Sequence, residues 1–183
     1  WFTDPDYGVP RGKPSPQGGN FIYRFDPKTT NTTRLAGPFE RPSGICFSPD
    51  ESILYFSDSG VTNVFHHIHS YQVKGDGSLA DVKTVVRVNP GNPGTLRCDE
   101  DGRLWTTAAN GIHVYKSDGS AVGQIGTALS PAGFCWGGDE GRTMYIVARR
   151  YLYSIETKVR WSGWRSAGPA RQVPNQPAAS VAP

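Results

Sequence analysis

The sequence predicts an all-β chain made of β-propeller repeats, and three observations predict it. One stretch, LRCDEDGRLWTTAANGIHVY from Leu96 to Tyr115, reads as three short strands joined by two tight turns. Its turn residues are Asp99-Glu100-Asp101-Gly102 and Asn110-Gly111, which supply local hydrogen bonds and a residue ready for positive φ. The unit returns: Ile45 to Asp58 turns at Pro49-Asp50-Glu51, and Phe134 to Val147 turns at Gly137 to Arg142. Its anchoring aromatics, Trp1, Tyr55, Trp105 and Tyr145, are spaced 54, 50 and 40 residues apart. A period of about 40 to 50 residues with about four strands is that of a propeller blade. A β-sandwich of short strands is the competing architecture, but it does not require the aromatic and the acidic turn to return in phase.

In chain order, Trp1 to Asp4 ends an inner strand. Pro5 to Asn20, with Pro5, Pro10, Pro14 and Pro16, is a long irregular loop of the kind that shapes a propeller rim. Asn20 to Asp26 is a strand with Phe21, Tyr23 and Phe25 on one face. Thr32 to Ala36 returns as an outer strand, and Arg41-Pro42-Ser43-Gly44 crosses to the next blade. That blade runs from Ile45 to about Val88, with strands at Ile53 to Asp58, Phe65 to Val73 and Val82 to Val88. Asn89 to Thr95 crosses to the organising blade, whose outer strand is Ala121 to Ile125. The last blade holds Phe134 to Trp136, Thr143 to Ala148 and Tyr151 to Ile155. Residues 1–160 are thus expected to form a partial ring. Residues 161–183, with Pro169, Pro174, Pro177 and Pro183, are expected to form a loose Pro-rich tail from which Trp161 and Trp164 can dock. Three full blades and the tail of one before them leave open sheet edges. The chain is therefore expected to be a fragment or one part of a larger assembly.

Composition narrows the function classes. The formal net charge is +3, with Lys and Arg scattered and no basic run interleaved with aromatics, which argues against nucleic acid. There is no apolar stretch of membrane-spanning length. Cys46, Cys98 and Cys135 sit among strand residues. They read as buried small side chains of the innermost strands, with Cys46 and Cys98 in one repeat phase and an inter-blade disulfide as the open alternative. Their spacing is not that of a zinc site. Asn31-Thr32-Thr33 is an N-x-T glycosylation sequon in a polar turn, pointing to a secreted glycoprotein; without it the default compartment is the cytoplasm.

Chemistry is expected where the loops leading into the innermost strands gather around the axis. Those loops hold Ser43, Gly94, Thr95 and Ala132. A metal site there would need carboxylates or amides from several blades. Asp4 and Asp58 close equivalent strands and read first as structural carboxylates that bond their own turns. In His66-His67-x-His69, His67 and His69 share a strand face, but no third ligand is evident, so a solvated face is expected. His113 alternates with Ile112 and Val114 and is expected on the polar side of its strand. No nucleophile elbow, phosphate-binding loop or dinucleotide fingerprint is present, and Ser43 has no paired base.

The segments WFTDPDYG (Trp1 to Gly8), RPSGICFSPDESILYFSDS (Arg41 to Ser59), NPGTLRCDEDGRLWTTAANGIHVY (Asn92 to Tyr115), GGDEGRTMYIVA (Gly137 to Ala148) and LYSI (Leu152 to Ile155) resemble the gluconolactonase, regucalcin and luciferin-regenerating enzyme family. The resemblance implies a six-bladed propeller, of which this chain would hold roughly three and a half blades. It also implies hydrolysis of sugar lactones or related esters. One divalent cation (Ca²⁺, Zn²⁺ or Mg²⁺) would polarise the carbonyl and activate water, with a carboxylate moving the proton. The family's P-N-G motif carries a metal-binding Asn where this chain has Ser43, and its P-D-G-L motif carries a metal-binding Asp where this chain has Gly94. Two further family ligands, a Glu and an Asn, would lie before Trp1. The catalytic residues are thus not assignable, and Asp4, Tyr7, Ser43, Asp58 and Thr95 are candidates for the channel mouth. Two functions follow: a lactonase-type hydrolase with a degenerate or rebuilt metal site, or a catalytically inactive propeller serving as a binding or structural protein. The expected partners are a lactone or sugar-derived small molecule and the missing half of the propeller or another chain.

Overall fold

The structure, a computed structural model, describes residues 1–10, 12–60, 66–91 and 93–164. Short alternating apolar runs between Gly- and Asp-bearing turns pair into four antiparallel meanders, as their period of two requires. Sheet I is β1 (Phe2–Asp4), β2 (Asn20–Asp26) and β3 (Asn31–Phe39). Sheet II is β4 (Pro42–Phe47), β5 (Ile53–Asp58), β6 (His66–Val73) and β7 (Leu79–Val88). Sheet III is β8 (Leu96–Cys98), β9 (Leu104–Ala108), β10 (Gly111–Tyr115) and β11 (Ala121–Gly126). Sheet IV is β12 (Gly133–Gly137), β13 (Thr143–Ala148) and β14 (Tyr151–Glu156). Strand order within each sheet follows the chain, so the fold is the all-β propeller type that the repeats predict. Phe65, the expected first residue of β6, and most of the Pro-rich tail lie outside the described residues.

The hairpins are closed by aspartates. Asp26, Asp76 and Asp118 accept the backbone N–H two residues on, from Lys28 at 2.9 Å and from Ser78 and Ser120 at 2.8 Å each. The Ser120 hydroxyl, which donates to Asp118 at 2.6 Å, and these backbone bonds favour the ionised form and hold the three carboxyls below their ordinary range. Each turn thereby gains a side-chain bond that an Ala would not provide.

The repeat aromatics join one sheet to the next. Trp1 meets Phe47 of sheet II edge-on, with ring centroids 5.3 Å apart, and Trp105 meets Trp136 of sheet IV at 5.2 Å. Tyr55 is buried with Cys46, Leu96, Cys98 and Leu104 between sheets II and III. Burying each ring contributes about 2–3 kcal/mol. The core is therefore a series of clusters between consecutive sheets rather than one central mass.

Three sequence expectations change. Cys46 and Cys98 are buried and free, but Cys135 is exposed and free, because it faces the side of sheet IV that no described sheet covers. Nor do Cys46 and Cys98 share a phase. Cys46 lies opposite Tyr55 and Cys98 opposite Leu104. The position equivalent to Cys46 is Arg97, opposite Trp105, and then Cys135, opposite Tyr145. Cys46 and Cys98 still meet in one cluster, approaching it from two sheets, and burial raises both thiols, Cys98 to about 12. His113 does lie opposite Ile112 and Val114 in alternation, yet it is buried. Its Nδ1 is 3.0 Å from Tyr115 Oη and its Nε2 is 2.7 Å from Asn110 Oδ1.

The chain after β14 is docked as far as Trp164. Ser162 N–H donates to Cys98 C=O at 2.9 Å, Glu100 N–H donates to Arg160 C=O at 3.0 Å, and Trp161 bridges Asp99. The turn these backbone pairs attach to is held in shape by Asp99, whose fully buried carboxylate accepts from Arg103 Nε and Trp105 Nε1 at 2.8 Å each, and from the backbone of Asp101 and Arg103. Every lone pair of that carboxylate has a donor, which is the condition for a buried charge to be tolerated.

Candidate functional site: the mouth of the inner strands

The starts of β4, β8 and β12 carry the loop residues expected at the axis. A column of hydroxyls holds them together. Thr3, Ser57 and Thr107 occupy one repeat position in WFTD, YFSD and WTTA. Thr3 Oγ1 donates to Ser43 C=O at 2.7 Å and Ser57 Oγ donates to Gly94 C=O at 2.9 Å. In the other direction, Ser57 Oγ accepts from Gly44 N–H and Thr107 Oγ1 accepts from Gly94 N–H, both at 2.8 Å. Ser57 and Thr107 thus order the mouth loops of their own sheets, and Thr3 and Ser57 grip the loop of the next. In sheet IV this position is Val147, and its backbone C=O instead accepts from Ala132 N–H at 2.8 Å. The approach is tight: a Cβ on Gly44 would run into the Gly94 carbonyl oxygen, so a glycine there lets the two inner strands close together.

Of the predicted mouth residues, Ser43 and Thr95 begin neighbouring inner strands. Among the described residues neither hydroxyl has a hydrogen-bond partner, so both are available to a ligand. Asp58 is committed to the backbone. It accepts from Arg41 N–H at 2.7 Å, from Glu40 N–H at 3.2 Å and from Gly60 N–H at 3.2 Å. Asp4 is the equivalent residue of sheet I, is half-buried opposite Phe21, and has no partner among the described residues. Tyr7, in a 3-10 turn over Asp6–Gly8, reaches Ser59 Oγ at 2.9 Å beneath the Arg41 guanidinium, which pairs with Asp6 at 2.8 Å. Tyr7 and Asp58 therefore belong to one cluster, joined through Arg41.

The hydroxyl column was not singled out from the sequence. Its signal was there, as Thr, Ser and Thr in one column of aligned repeats, but hydroxyls in strands are common and only the inter-sheet contact gives them a role. The histidine run is also more engaged than a solvated face. His66 Nδ1 lies 3.1 Å from Ser59 C=O, and His69 stacks on Phe56 with centroids 5.1 Å apart. Burial and the neighbouring His67 lower the His69 pKa.

The mouth does not fit a hard divalent cation. Such an ion needs several anionic oxygens. Among the described residues the mouth offers two hydroxyls, backbone carbonyls and the single unpartnered carboxylate of Asp4, while the Asp58 carboxylate is saturated by N–H donors. Among the described residues no group of three or more His, Cys, Asp or Glu converges. What these residues can do is hydrogen-bond a neutral, hydroxyl-rich ligand.

Residues 1–150 match the family model described as SMP-30/Gluconolactonase/LRE-like region. A gluconolactonase of Zymomonas mobilis is 30% identical over 171 residues, covering 86% of this chain and 47% of that protein. A 6-deoxy-6-sulfogluconolactonase of Pseudomonas putida is 26% identical over 155 residues, covering 81% and 52%. Among solved structures, a gluconolactonase of Xanthomonas campestris superposes with TM-score 0.75 at 26% identity, covering 88% of this chain and 52% of that one. A calcium-binding regucalcin of Agrobacterium tumefaciens shares the fold, with TM-score 0.64 at 18% identity, covering 81% and 55%. The chain spans about half the length of the curated relatives it matches. Repeat, sheet order and matched motifs agree, and the chain belongs to the SMP-30/gluconolactonase/LRE-like family.

Proposed function

We propose that the protein hydrolyses sugar lactones or related cyclic esters, with a cation site rebuilt on ligands other than those at positions 43 and 94. The observation that carries this reading is the mouth itself. The hydroxyl column keeps the inner-strand loops of this chain in register and leaves Ser43 and Thr95 free to bond a polyol. Relatives named gluconolactonase and L-arabinolactonase support the substrate class. In such a reaction water attacks the lactone carbonyl, and negative charge gathers on its oxygen. Ser43 and Thr95 would orient the ring hydroxyls and Tyr7 would close the rim. Orientation of this kind lowers the barrier by removing unproductive poses. The proton acceptor and the anionic ligands would come from elsewhere in a completed ring. By its equivalence to Asp58, Asp4 would cap the backbone leading into the inner strand of its own sheet.

Completion of the ring is part of the proposal. Sheet I leaves Phe2 and Phe25 exposed, and sheet IV leaves Tyr145, Val147 and Leu152 exposed. Further blades, from the same protein or another chain, would cover them. Native mass measurement tests this, because a species that stays near the 19.9 kDa of the chain with every candidate partner removes it. Asn31, exposed at the start of β3, is proposed as a glycosylation acceptor of a secreted form. A mobility shift on endoglycosidase treatment, after expression through a secretory route, checks that.

A second reading is favoured by Gly94, which presents no side chain where the family has a metal-binding carboxylate: a propeller that binds sugar-derived ligands without turning them over. One assay separates the two. Acid release from D-glucono-1,5-lactone is followed with a pH indicator, with EDTA and then with Ca²⁺, Zn²⁺ or Mg²⁺ restored. Cation-dependent release supports the hydrolase. Saturable lactone binding with release no faster than in buffer selects the binding protein.

A further inference from the structure

Away from the mouth, toward the far ends of the inner strands, the three repeat-equivalent residues Cys46, Arg97 and Cys135 line one cavity of about 580 Å³. This size suits a small ligand. Its walls are aromatic: Trp1, Trp136 and the docked Trp161 face it. Two of the three equivalent positions carry small cysteine side chains, and the third carries a guanidinium. Arg97 donates to its neighbour's carbonyl, Leu96 C=O at 2.8 Å, and pairs with no carboxylate among the described residues. Nearby arginines differ. Arg103 is paired with Asp99, and Arg142 and Arg160 both reach Glu100. An unpaired planar cation in a half-buried aromatic setting has unused donors that water serves less well than an anion would.

We propose that this cavity is a second small-molecule site, separate from the mouth, that takes a small organic monocarboxylate. The carboxylate accepts from the Arg97 fork, and the body of the ligand lies against the indoles, whose faces suit C–H-rich or flat groups. Glu51 lines the same cavity, and its charge disfavours multiply charged anions such as phosphates. Trp161 reaches the cavity because Arg160 and Ser162 pair with the backbone of Glu100 and Cys98, so the segment after the last strand forms part of the wall.

The test is quenching of indole fluorescence by D-gluconate and, separately, by benzoate, with D-glucose as the neutral control. Gluconate is chosen because the lactonase reading makes a sugar acid the natural product; benzoate is independent of that reading. No turnover is measured, so failure of the hydrolase proposal leaves this test unaffected. Saturable quenching by either carboxylate, absent with D-glucose and weakened about tenfold or more in Arg97→Gln, is the expected result. Arg97→Lys, which keeps the charge and loses the fork, is expected to weaken binding by a smaller factor. It carries the test should Arg97→Gln not fold. Glu51→Gln is expected to tighten binding about twofold by removing a like charge. Quenching by neither carboxylate, or quenching indifferent to Arg97, overturns the proposal.

Discussion

Sheets III and IV are built from the same repeat and end in different environments. In sheet III every residue of β9 and β10 is buried, whereas β13 alternates, with Met144, Ile146 and Ala148 buried and Tyr145 and Val147 exposed. Trp105 and Tyr145 occupy the same repeat position, yet they are 9% and 36% exposed. The difference is not in the strands. Among the described residues, sheet III has a sheet on both sides and sheet IV has one on one side only. Burial in this fold is conferred by the next repeat, as expected for an architecture whose cores lie between units.

Truncating the two aromatics separates the environments of sheets III and IV most strongly. Trp105→Ala removes a ring packed on Trp136 and the Nε1 donor to Asp99, and is expected to cost about 3–5 kcal/mol. Tyr145→Ala is expected to stay within about 0.5 kcal/mol. Urea denaturation of the two variants checks both values. Equal losses would mean that the outer face of sheet IV is covered in solution.

Asp99→Ala comes next. It strips four donors of their acceptor and loosens the turn whose backbone pairs with the Arg160–Ser162 segment, so a loss of about 3 kcal/mol is expected. Susceptibility to proteolysis after residue 156 should rise at the same time. Stability loss with no added cleavage there would show that the segment is held independently of Asp99.

The hydroxyl column gives a smaller contrast. Ser57→Ala leaves Gly44 N–H and Gly94 C=O without their partner and is expected to cost about 1–2 kcal/mol. Val147→Thr, which restores the hydroxyl pattern in sheet IV, is expected to be near neutral, because Ala132 N–H is already bonded to the backbone there. Thermal melts of the two variants decide it. A Ser57→Ala protein as stable as the parent would remove the column from the account of the mouth.

These cases also show what a sequence of this kind discloses. Strand positions and the aromatic column were readable because they follow local periodicity and turn chemistry, and Trp1, Tyr55 and Trp105 pack where that column requires. Cys135 was misread because its burial depends on a sheet on its open side, a fact no local pattern carries. His113 was misread for the opposite reason: a strand's polar side faces solvent only when no neighbouring sheet covers it. Repeat phase puts Ser43, Gly94 and Thr95 at the starts of neighbouring inner strands, where ligand binding is our proposal. The commitment of Asp58 to three backbone donors, and the freedom of Arg97, depend on side-chain geometry that spacing alone does not encode.

The smallest expected effect is in pH dependence, and it again separates buried from open positions. Burial lowers the pKa of His113, and of His69 with help from His67. The folded state therefore prefers both rings neutral. Above the ordinary histidine pKa of about 6.5 neither state takes up a proton, and the stability is fully present. As pH falls through that value the unfolded chain binds protons that the folded chain resists, so stability falls. The slope is at most about 1.4 kcal/mol per pH unit for each ring, and it levels off below the folded pKa. The aspartates that close the hairpins act in a separate, more acidic window, since their lowered pKa values stabilise the fold until they protonate. Melting temperatures between pH 7.5 and 5 should therefore decline in the parent and decline less in His113→Gln, which cannot titrate. Identical slopes would show that His113 accepts its proton within the fold, with the bond to Asn110 Oδ1 offsetting the cost of its burial.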